Sequence, residues 1–245
     1  MTPRKTDFQQ RKDIVLGYVV EQYIKNLNPV GSAFLAKECH LDWSSATIRN
    51  ILAELEVEGY LMHPHTSAGR IPTQYGYRYY VDHLMHEIQL LEDEKKHIHE
   101  EYLQNVDELE KLIDKTSRIL SEVTHYTSII SVDGWGNKIV YRGISHVVGC
   151  PEMKDIQKIQ NLLKLLDEKQ KILDVLNRDL QNKVEIYIGQ EIACEEIESC
   201  SMAVCGYRTK NGPSGRIAVL GPTSMDYERV VSALDYITEL IGGKR

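Results

Sequence analysis

Residues 43–86 read WSSATIRNILAELEVEGYLMHPHTSAGRIPTQYGYRYYVDHLMH, and this stretch decides the fold of the N-terminal part of the chain. Ser44 or Ser45 can cap a helix, and Gly59 supplies the permissive backbone that ends it. The apolar positions of that segment recur at helical spacing and share one face: Ile48, Leu52 and Leu55. The pattern predicts an amphipathic helix between the serines and the glycine.

The other face of this helix carries short polar and cationic side chains in its first turns: Ser45, Thr47, Arg49 and Asn50. Hydroxyl, amide and guanidinium groups in this position are typical of a recognition helix, which meets base edges and phosphates in the major groove. The alternative is that the serines and the threonine only cap the helix and that Arg49 is solvated. The order of the elements around the helix favours DNA binding.

A short strand at 60–62 and a loop at 64–72 follow the helix, and two prolines bracket the loop. A hairpin with an exposed arginine at its tip is typical of a wing, and Arg70 could enter a narrow minor groove. Upstream, residues 7–26 and 33–39 have helical patterns. The sequence therefore predicts a winged helix-turn-helix domain over residues 1–86.

Two side chains near this domain leave alternatives open. Trp43 could fill a core or domain interface, which is the reading we favour, or stack on a nucleotide. Arg78, in the tyrosine-rich segment after Thr73, could pair with a carboxylate or contact a phosphate.

Composition limits the classes of function. The chain has 245 residues, 42% of them hydrophobic, and a net charge of −7. Residues 1–86 hold nine basic and nine acidic residues, so the acidic excess lies outside the predicted DNA-binding domain. The sequence has no run of eighteen apolar residues and no apolar leader, which predicts a cytoplasmic protein with no membrane partner. Five cysteines without CxxC spacing predict neither a disulfide framework nor a zinc site.

Residues 87–123 are strongly charged but keep a largely apolar seven-residue repeat, which predicts a helical linker and possibly a coiled coil. The competing interpretation is an amphipathic helix that lies on its own C-terminal domain. Residues 124–245 alternate strands with helices. The predicted strands are two within 127–149 and one each at 184–189, 201–207 and 216–221, with a helix from Pro151 to about Asn182 and a final helix from about Asp226. The fold class is α+β.

Several motifs resemble the HrcA family of heat-inducible transcription repressors: SATIRN (45–50), PHTSAGRIPT (64–73), GYRYYVD (76–82), VYRGIS (140–145) and GPTSMDY (221–227). The resemblance implies a C-terminal GAF-like domain, here reduced. Family members usually carry a far longer segment between the counterparts of Thr124 and Val140, with central strands and an inserted domain associated with dimerisation.

The resemblance implies that a homodimer binds double-stranded DNA at an inverted-repeat operator like the CIRCE element, represses chaperone operons, and is released on heat shock. A chaperonin is an implied partner. The DNA-binding positions of the family would fall on residues of the helix and of the wing: Ser45, Thr47, Arg49, Asn50, His65, Thr66, Ser67 and Arg70.

Three other functions are alternatives to this one. A ligand-sensing winged-helix regulator with a different operator is the main alternative, and a coiled-coil interaction protein would leave the wing unexplained. No phosphate-binding glycine loop, HExxH or GxSxG motif occurs, so we expect no catalytic residue, no metal ligand and no cofactor.

Overall fold

The computed structural model describes residues 4–38, 43–64, 69–86, 94–96, 98, 109–134, 138–177, 183–209 and 212–242. The chain divides into two compact units, Met1–His86 and Glu87–Arg245. The elements of the first unit are α1 (Arg4–Asn26), α2 (Ser32–Glu38), α3 (Ser45–Val57), β1 (Leu61–Met62), β2 (Ile71–Pro72) and α4 (Gln74–Tyr79), which continues as a π-helical turn (Tyr80–Leu84).

Besides the helical residues 94–96 and 98, the described part of the second unit contains five strands, five α-helices and three 3₁₀ turns. In chain order they are α5 (Leu109–Thr124), β3 (Thr127–Val132), β4 (Ile139–Arg142), α6 (Ile144–Val148), the turn Pro151–Met153, α7 (Ile156–Asp167), α8 (Lys169–Leu176), β5 (Glu185–Ile188), the turns Gly189–Ile192 and Glu195–Ile197, β6 (Cys200–Arg208), β7 (Ser214–Pro222) and α9 (Tyr227–Ile241).

The first unit is built on α3. Its N-cap is Ser44, whose hydroxyl accepts a hydrogen bond from the Thr47 amide at 3.1 Å, and Gly59 follows its end at φ 83°. Both features match the sequence pattern. One face of α3 is buried against α1 and α2, and the apolar side chains that form this core include Val15, Val19, Leu35, Ile48, Ile51, Leu52 and Leu55.

A two-stranded antiparallel hairpin follows α3, with Leu61 opposite Pro72 and Met62 opposite Ile71. Arg70 extends this pairing, because its backbone forms an antiparallel bridge with Val30 in the turn between α1 and α2. The return strand of the hairpin is therefore attached to the helical part of the unit at its first residue.

The second unit contains a five-stranded antiparallel sheet in the order β4-β3-β7-β6-β5. The strands predicted from alternating apolar residues are all present, and the α+β class is confirmed. Successive residues of β6 face opposite sides of the sheet, so Met202 and Val204 pack into the core beneath α7 and α8, while Ala203 and Cys205 face the other side, where α9 packs. Both faces of the sheet are covered.

The prediction of one long helix starting at Pro151 is wrong. Pro151 begins only a 3₁₀ turn, and α7 starts later because the Asp155 carboxylate caps it by accepting from the Gln157 amide at 2.9 Å. The chain leaves helical geometry at Glu168 (φ −90°, ψ 70°) before α8. The break lets each of the two shorter helices turn its own apolar stripe toward the core. The predicted end near Asn182 lies outside the described residues.

The described part of 87–123 does not form one extended helix. Arg229 donates from Nε to the Val123 carbonyl at 2.7 Å and from Nη2 to the Glu94 carboxylate at 2.5 Å. A continuous helix would separate residues 94 and 123 by about 43 Å along its axis, so these two residues do not belong to one continuous helix. Ile98, Leu112 and Ile119 are buried within the second unit.

This packing corrects the expectation of a separate linker for the residues that the structure describes. Helix α5 lies on β3 and α9 of its own unit, as the competing interpretation held. The seven-residue repeat of 87–123 includes Ile88, Leu91, Tyr102 and Asn105, and these four residues lie outside the described residues. Among the described helices, none is both long enough and apolar enough to cross a lipid bilayer.

An ion pair in the second unit gives a testable dependence on pH. The Glu196 carboxylate accepts from Lys171 Nζ at 2.5 Å and from the Cys194 thiol at 3.2 Å, and these bonds lower the pKa of Glu196 to about 2. Because the pKa is lower in the folded state than the ordinary 4.5, the pair stabilises the fold above pH ~4.5. That contribution is lost as the pH falls toward 2.

We therefore expect Glu196→Gln to flatten the loss of stability of the second unit between pH ~5 and ~3, measured as the urea midpoint. The exposed neighbour Glu195 provides the control as Glu195→Gln. Equal slopes for wild type and Glu196→Gln would contradict the assignment.

Candidate nucleic-acid interface

The hydroxyl side chains at the start of α3 form hydrogen bonds with other side chains of the protein. The Ser44 hydroxyl is 2.9 Å from the Thr47 hydroxyl, and the Ser45 hydroxyl is 3.0 Å from that of Ser32 at the start of α2. Ser45 and Thr47 are half-buried. These contacts join the N-terminal ends of the two helices and orient the first turn of α3.

Arg49 and Asn50 lie on the exposed side of the same helix. Their neighbours Ile48 and Ile51 are buried, so the core fixes the direction in which Arg49 and Asn50 point. Within the described residues, Arg49 has no carboxylate within ion-pair distance. Its five N–H donors and the amide of Asn50 are the groups that form bidentate hydrogen bonds with guanine and adenine.

The C-terminal half of α3 is acidic, but its three glutamates are paired. Lys12 Nζ lies 3.1 Å from Glu54 and 2.6 Å from Glu58, and the hydrogen bond that Lys12 donates to Glu58 raises the pKa of Lys12. Glu56 accepts from Arg70 at 2.8 Å. Carboxylates near a helix C-terminus interact unfavourably with the helix dipole. Lys12 and Arg70 offset this repulsion by pairing with the glutamates. They also limit the negative field that reaches the N-terminal end of α3, where Arg49 and Asn50 lie.

Arg70 does not sit at the tip of the hairpin, and the prediction of an exposed arginine is wrong. Its side chain is only 15% exposed and pairs with Glu56. The reason is its position, because Arg70 begins the return strand beside Val30 rather than lying in the middle of the loop. The predicted loop residues His65, Thr66 and Ser67 lie outside the described residues.

Contacts within the first unit bear on the two open alternatives. The Arg78 guanidinium pairs with Asp82 at 2.9 Å, one helical turn along the chain, as in the carboxylate interpretation. Trp43 is half-buried, and the Arg11 guanidinium lies 5.4 Å from its ring centre. Its indole therefore packs within the unit under a cation.

The sequence patterns do not single out Glu56, which pairs with Arg70 in the structure. The signal that could have found it is the spacing of Glu54, Glu56 and Glu58 at the wrong end of the helix dipole. Acidic residues there need cations, and Lys12 and Arg70 are the ones that the fold supplies. In the part of the chain that the structure describes, no cluster of three or more His, Cys, Asp or Glu side chains could hold a metal ion.

Comparisons with known proteins extend over both units. Residues 132–231 match the family model of the HrcA protein C-terminal domain. A heat-inducible transcription repressor HrcA from Carboxydothermus hydrogenoformans is 28% identical, and the alignment covers 96% of this chain and 98% of the relative. The same repressor from Symbiobacterium thermophilum is 29% identical over 93% of this chain and 96% of the relative.

A solved structure has the same fold. The crystal structure of a hypothetical protein superposes with a TM-score of 0.75 at 18% identity, covering 95% of this chain and 97% of that one. At 18% identity, this likeness supports a shared fold and carries no conclusion about function.

The alignments also show that the chain is short for its relatives. The alignment with the Carboxydothermus protein runs over 337 positions, whereas this chain has 245 residues, so at least 92 positions lie opposite gaps in this chain. The matched family model and the relatives aligned over more than nine-tenths of both chains show that this chain is similar to the HrcA heat-inducible transcription repressors, with gaps where their sequences are longer.

Proposed function

We propose that the protein represses transcription of heat-shock (chaperone) operons by binding an inverted-repeat operator as a homodimer, and that heat shock releases it. The observation that carries the proposal is the exposure of Arg49 and Asn50 on α3. The buried face of the helix fixes their position, and the acidic residues of α3 lie at its other end. The relatives that align with almost the whole chain are named repressors, and repression is not an enzymatic activity.

In this proposal the first unit is a winged helix-turn-helix domain. Helix α3 enters the major groove and presents Ser45, Thr47, Arg49 and Asn50, while loop residues His65, Thr66 and Ser67 follow the adjacent backbone or minor groove. Ser45 and Thr47 also orient the helix through their contacts with Ser32 and Ser44. Because the operator lies in the cytoplasm, we place the protein there.

The absence of a net positive charge on the first unit explains why a dimer would be needed. With nine basic and nine acidic residues over 1–86, one unit gains little non-specific attraction to phosphates. A two-fold dimer contacts two half-sites and doubles the specific contacts, which accounts for a palindromic operator. The second unit, a reduced GAF-like domain in this proposal, would supply the subunit contacts and the surface for a chaperonin.

The proposal is tested by titrating the protein against three duplexes: the intact inverted repeat, a single half-site and a scrambled sequence. The expected result is specific binding to the repeat, much weaker binding to the half-site, and loss of operator binding on warming through the heat-shock range. Equal binding to all three duplexes would reject the proposal.

A ligand-sensing regulator is the second candidate, because a cleft of about 520 Å³ lies between α5 and the edge strand β4. Four of its five charged lining residues pair with one another, Lys138 with Glu110 and Arg142 with Asp114, and the fifth is Lys169. This pairing leaves few polar groups for a ligand. A metabolite that raises the melting temperature and changes operator choice would favour this candidate over heat release.

A further inference from the structure

Three side chains at the base of the hairpin form one polar cluster, Glu56–His63–Arg70. Glu56 accepts from His63 Nδ1 at 2.5 Å and from Arg70 Nη2 at 2.8 Å, and Arg70 Nη1 contacts His63 Nε2. Because Nε2 faces a guanidinium donor, it acts as the acceptor, and Nδ1 carries the proton that is donated to Glu56. Every member of the cluster thus contacts both of the others.

The cluster joins elements that are otherwise separate in the chain. Glu56 belongs to α3, His63 follows β1, and Arg70 precedes β2. The two ends of the hairpin loop, at residues 63 and 70, are therefore attached to the same carboxylate of the helix.

The backbone holds Arg70 from the opposite side. Its amide donates to the Val30 carbonyl and its carbonyl accepts from the Val30 amide, both at 2.9 Å. Gly69, which precedes Arg70, lies very close to the Val30 backbone. A Cβ on Gly69 would be 2.4 Å from the Val30 carbonyl carbon and oxygen. Arg70 is thus fixed by its side chain to α3 and by its backbone to the turn between α1 and α2.

These contacts leave the Arg70 guanidinium poorly placed for DNA. The Arg70 side chain is only 15% exposed and contacts both Glu56 and His63. A phosphate or base edge would have to displace these partners to reach it. Charge-assisted hydrogen bonds of this kind are among the stronger ones in proteins.

We propose that Arg70 is a positioning residue: through Glu56 and His63 it fixes both ends of the hairpin loop against α3, and so sets where the loop meets the DNA. This inference rests on the proposed DNA-binding function. It implies that Glu56 is needed for DNA binding, although its carboxylate is negatively charged like the DNA. An Arg70 that binds DNA directly would instead compete with Glu56 for its partner.

The test is Glu56→Gln, because the two roles of Arg70 give opposite signs. A positioning Arg70 loses its charged anchor, so affinity for the inverted-repeat duplex falls, by about fivefold to tenfold for one charge-assisted bond. An Arg70 that binds DNA directly would be released, and the affinity would rise. Glu54→Gln is the matched control, because Glu54 lies in the same helical turn but pairs with Lys12.

A charge exchange gives a second, independent readout. Arg70→Glu alone is expected to lose about tenfold in affinity, and the double variant Glu56→Arg with Arg70→Glu is expected to recover most of it. A residue that itself contacts phosphate cannot be replaced by a glutamate, so failure of the double variant to recover would overturn the proposal.

Hydrogen exchange in the absence of DNA separates this proposal from the proposed function. The Val30 and Arg70 amides bond each other's carbonyls, and we expect Glu56→Gln to speed their exchange about tenfold, while Glu54→Gln leaves it near the wild-type rate. Unchanged exchange would overturn the positioning role even if the protein binds its operator. Faster exchange in a protein that binds no operator would reject the proposed function alone.

Discussion

Replacing Arg49 with alanine is expected to weaken binding to the inverted-repeat duplex by one to two orders of magnitude, while leaving the fold unchanged. Arg49 is exposed on α3 between the buried Ile48 and Ile51, so truncation removes donors without opening a cavity. One bidentate contact between arginine and a base is worth roughly 1–3 kcal/mol. In a symmetric dimer each change occurs twice, which makes this the largest effect on binding that we expect from a single substitution.

The control is Lys154→Ala, which removes one positive charge from an exposed position in the second unit. Titrations of both variants at several salt concentrations separate a base contact from a general loss of charge. Loss of a base contact lowers affinity for the operator and narrows the difference from the scrambled duplex, whereas loss of a phosphate contact weakens both duplexes and reduces the salt slope. Wild-type affinity in Arg49→Ala would remove α3 from the interface.

Replacing Gly76 with alanine is expected to cause the largest loss of stability in the first unit. A Cβ at this position in α4 would lie 2.2 Å from the Tyr60 carbonyl oxygen. That oxygen cannot retreat easily, since it accepts from the Thr73 amide at 3.0 Å while the Tyr60 amide donates to Leu55 at 2.9 Å. Inserting a methyl group against such a fixed neighbour costs about 1–3 kcal/mol, to which the lost hydrogen bonds would add.

The matched control is Gly17→Ala in α1, where nothing lies within 4 Å of the added Cβ. Alanine is there expected to stabilise the unit by about 0.5–1 kcal/mol, because glycine is the poorer helix former. The two variants make the same chemical change in helices of one unit and should shift its melting temperature in opposite directions. For a domain of this size, each kcal/mol corresponds to about 4–8 °C.

Melting of the first unit is followed through Trp43. The chain has two tryptophans, so Trp135→Phe makes Trp43 the only one, and its fluorescence then reports the first unit separately. A Gly76→Ala protein that melts at or above the wild-type temperature would show that the helix and the Tyr60 backbone adapt without cost.

Features that depend on neighbouring residues in the chain could be predicted from the sequence. The start of α3 at Ser44 follows from a hydroxyl within reach of the Thr47 amide, and its end follows from Gly59. The strands of the second unit follow from their apolar alternation and turn residues. The exposed positions of Arg49 and Asn50 follow from the helical period, which places them outside the apolar face formed by Ile48, Leu52 and Leu55.

The pairing of charges could not be predicted in this way. Lys12 and Glu58 are 46 residues apart, and Glu94 and Arg229 are 135 residues apart. A charged side chain in the sequence has many possible partners, and the packing of the apolar faces decides which of them meet. The packing of the apolar faces therefore decides that Arg70 meets Glu56 and that Glu94 and Val123 meet the same arginine.

The sequence by itself therefore determined the α+β class, the amphipathic helix α3 and its exposed polar positions, because local propensity and periodicity act within a few residues. Only the tertiary structure decided that Arg70 belongs to the base of the hairpin and that α5 packs on its own sheet. Both outcomes depend on which distant surfaces bury one another, and burial is a property of the folded chain rather than of any segment.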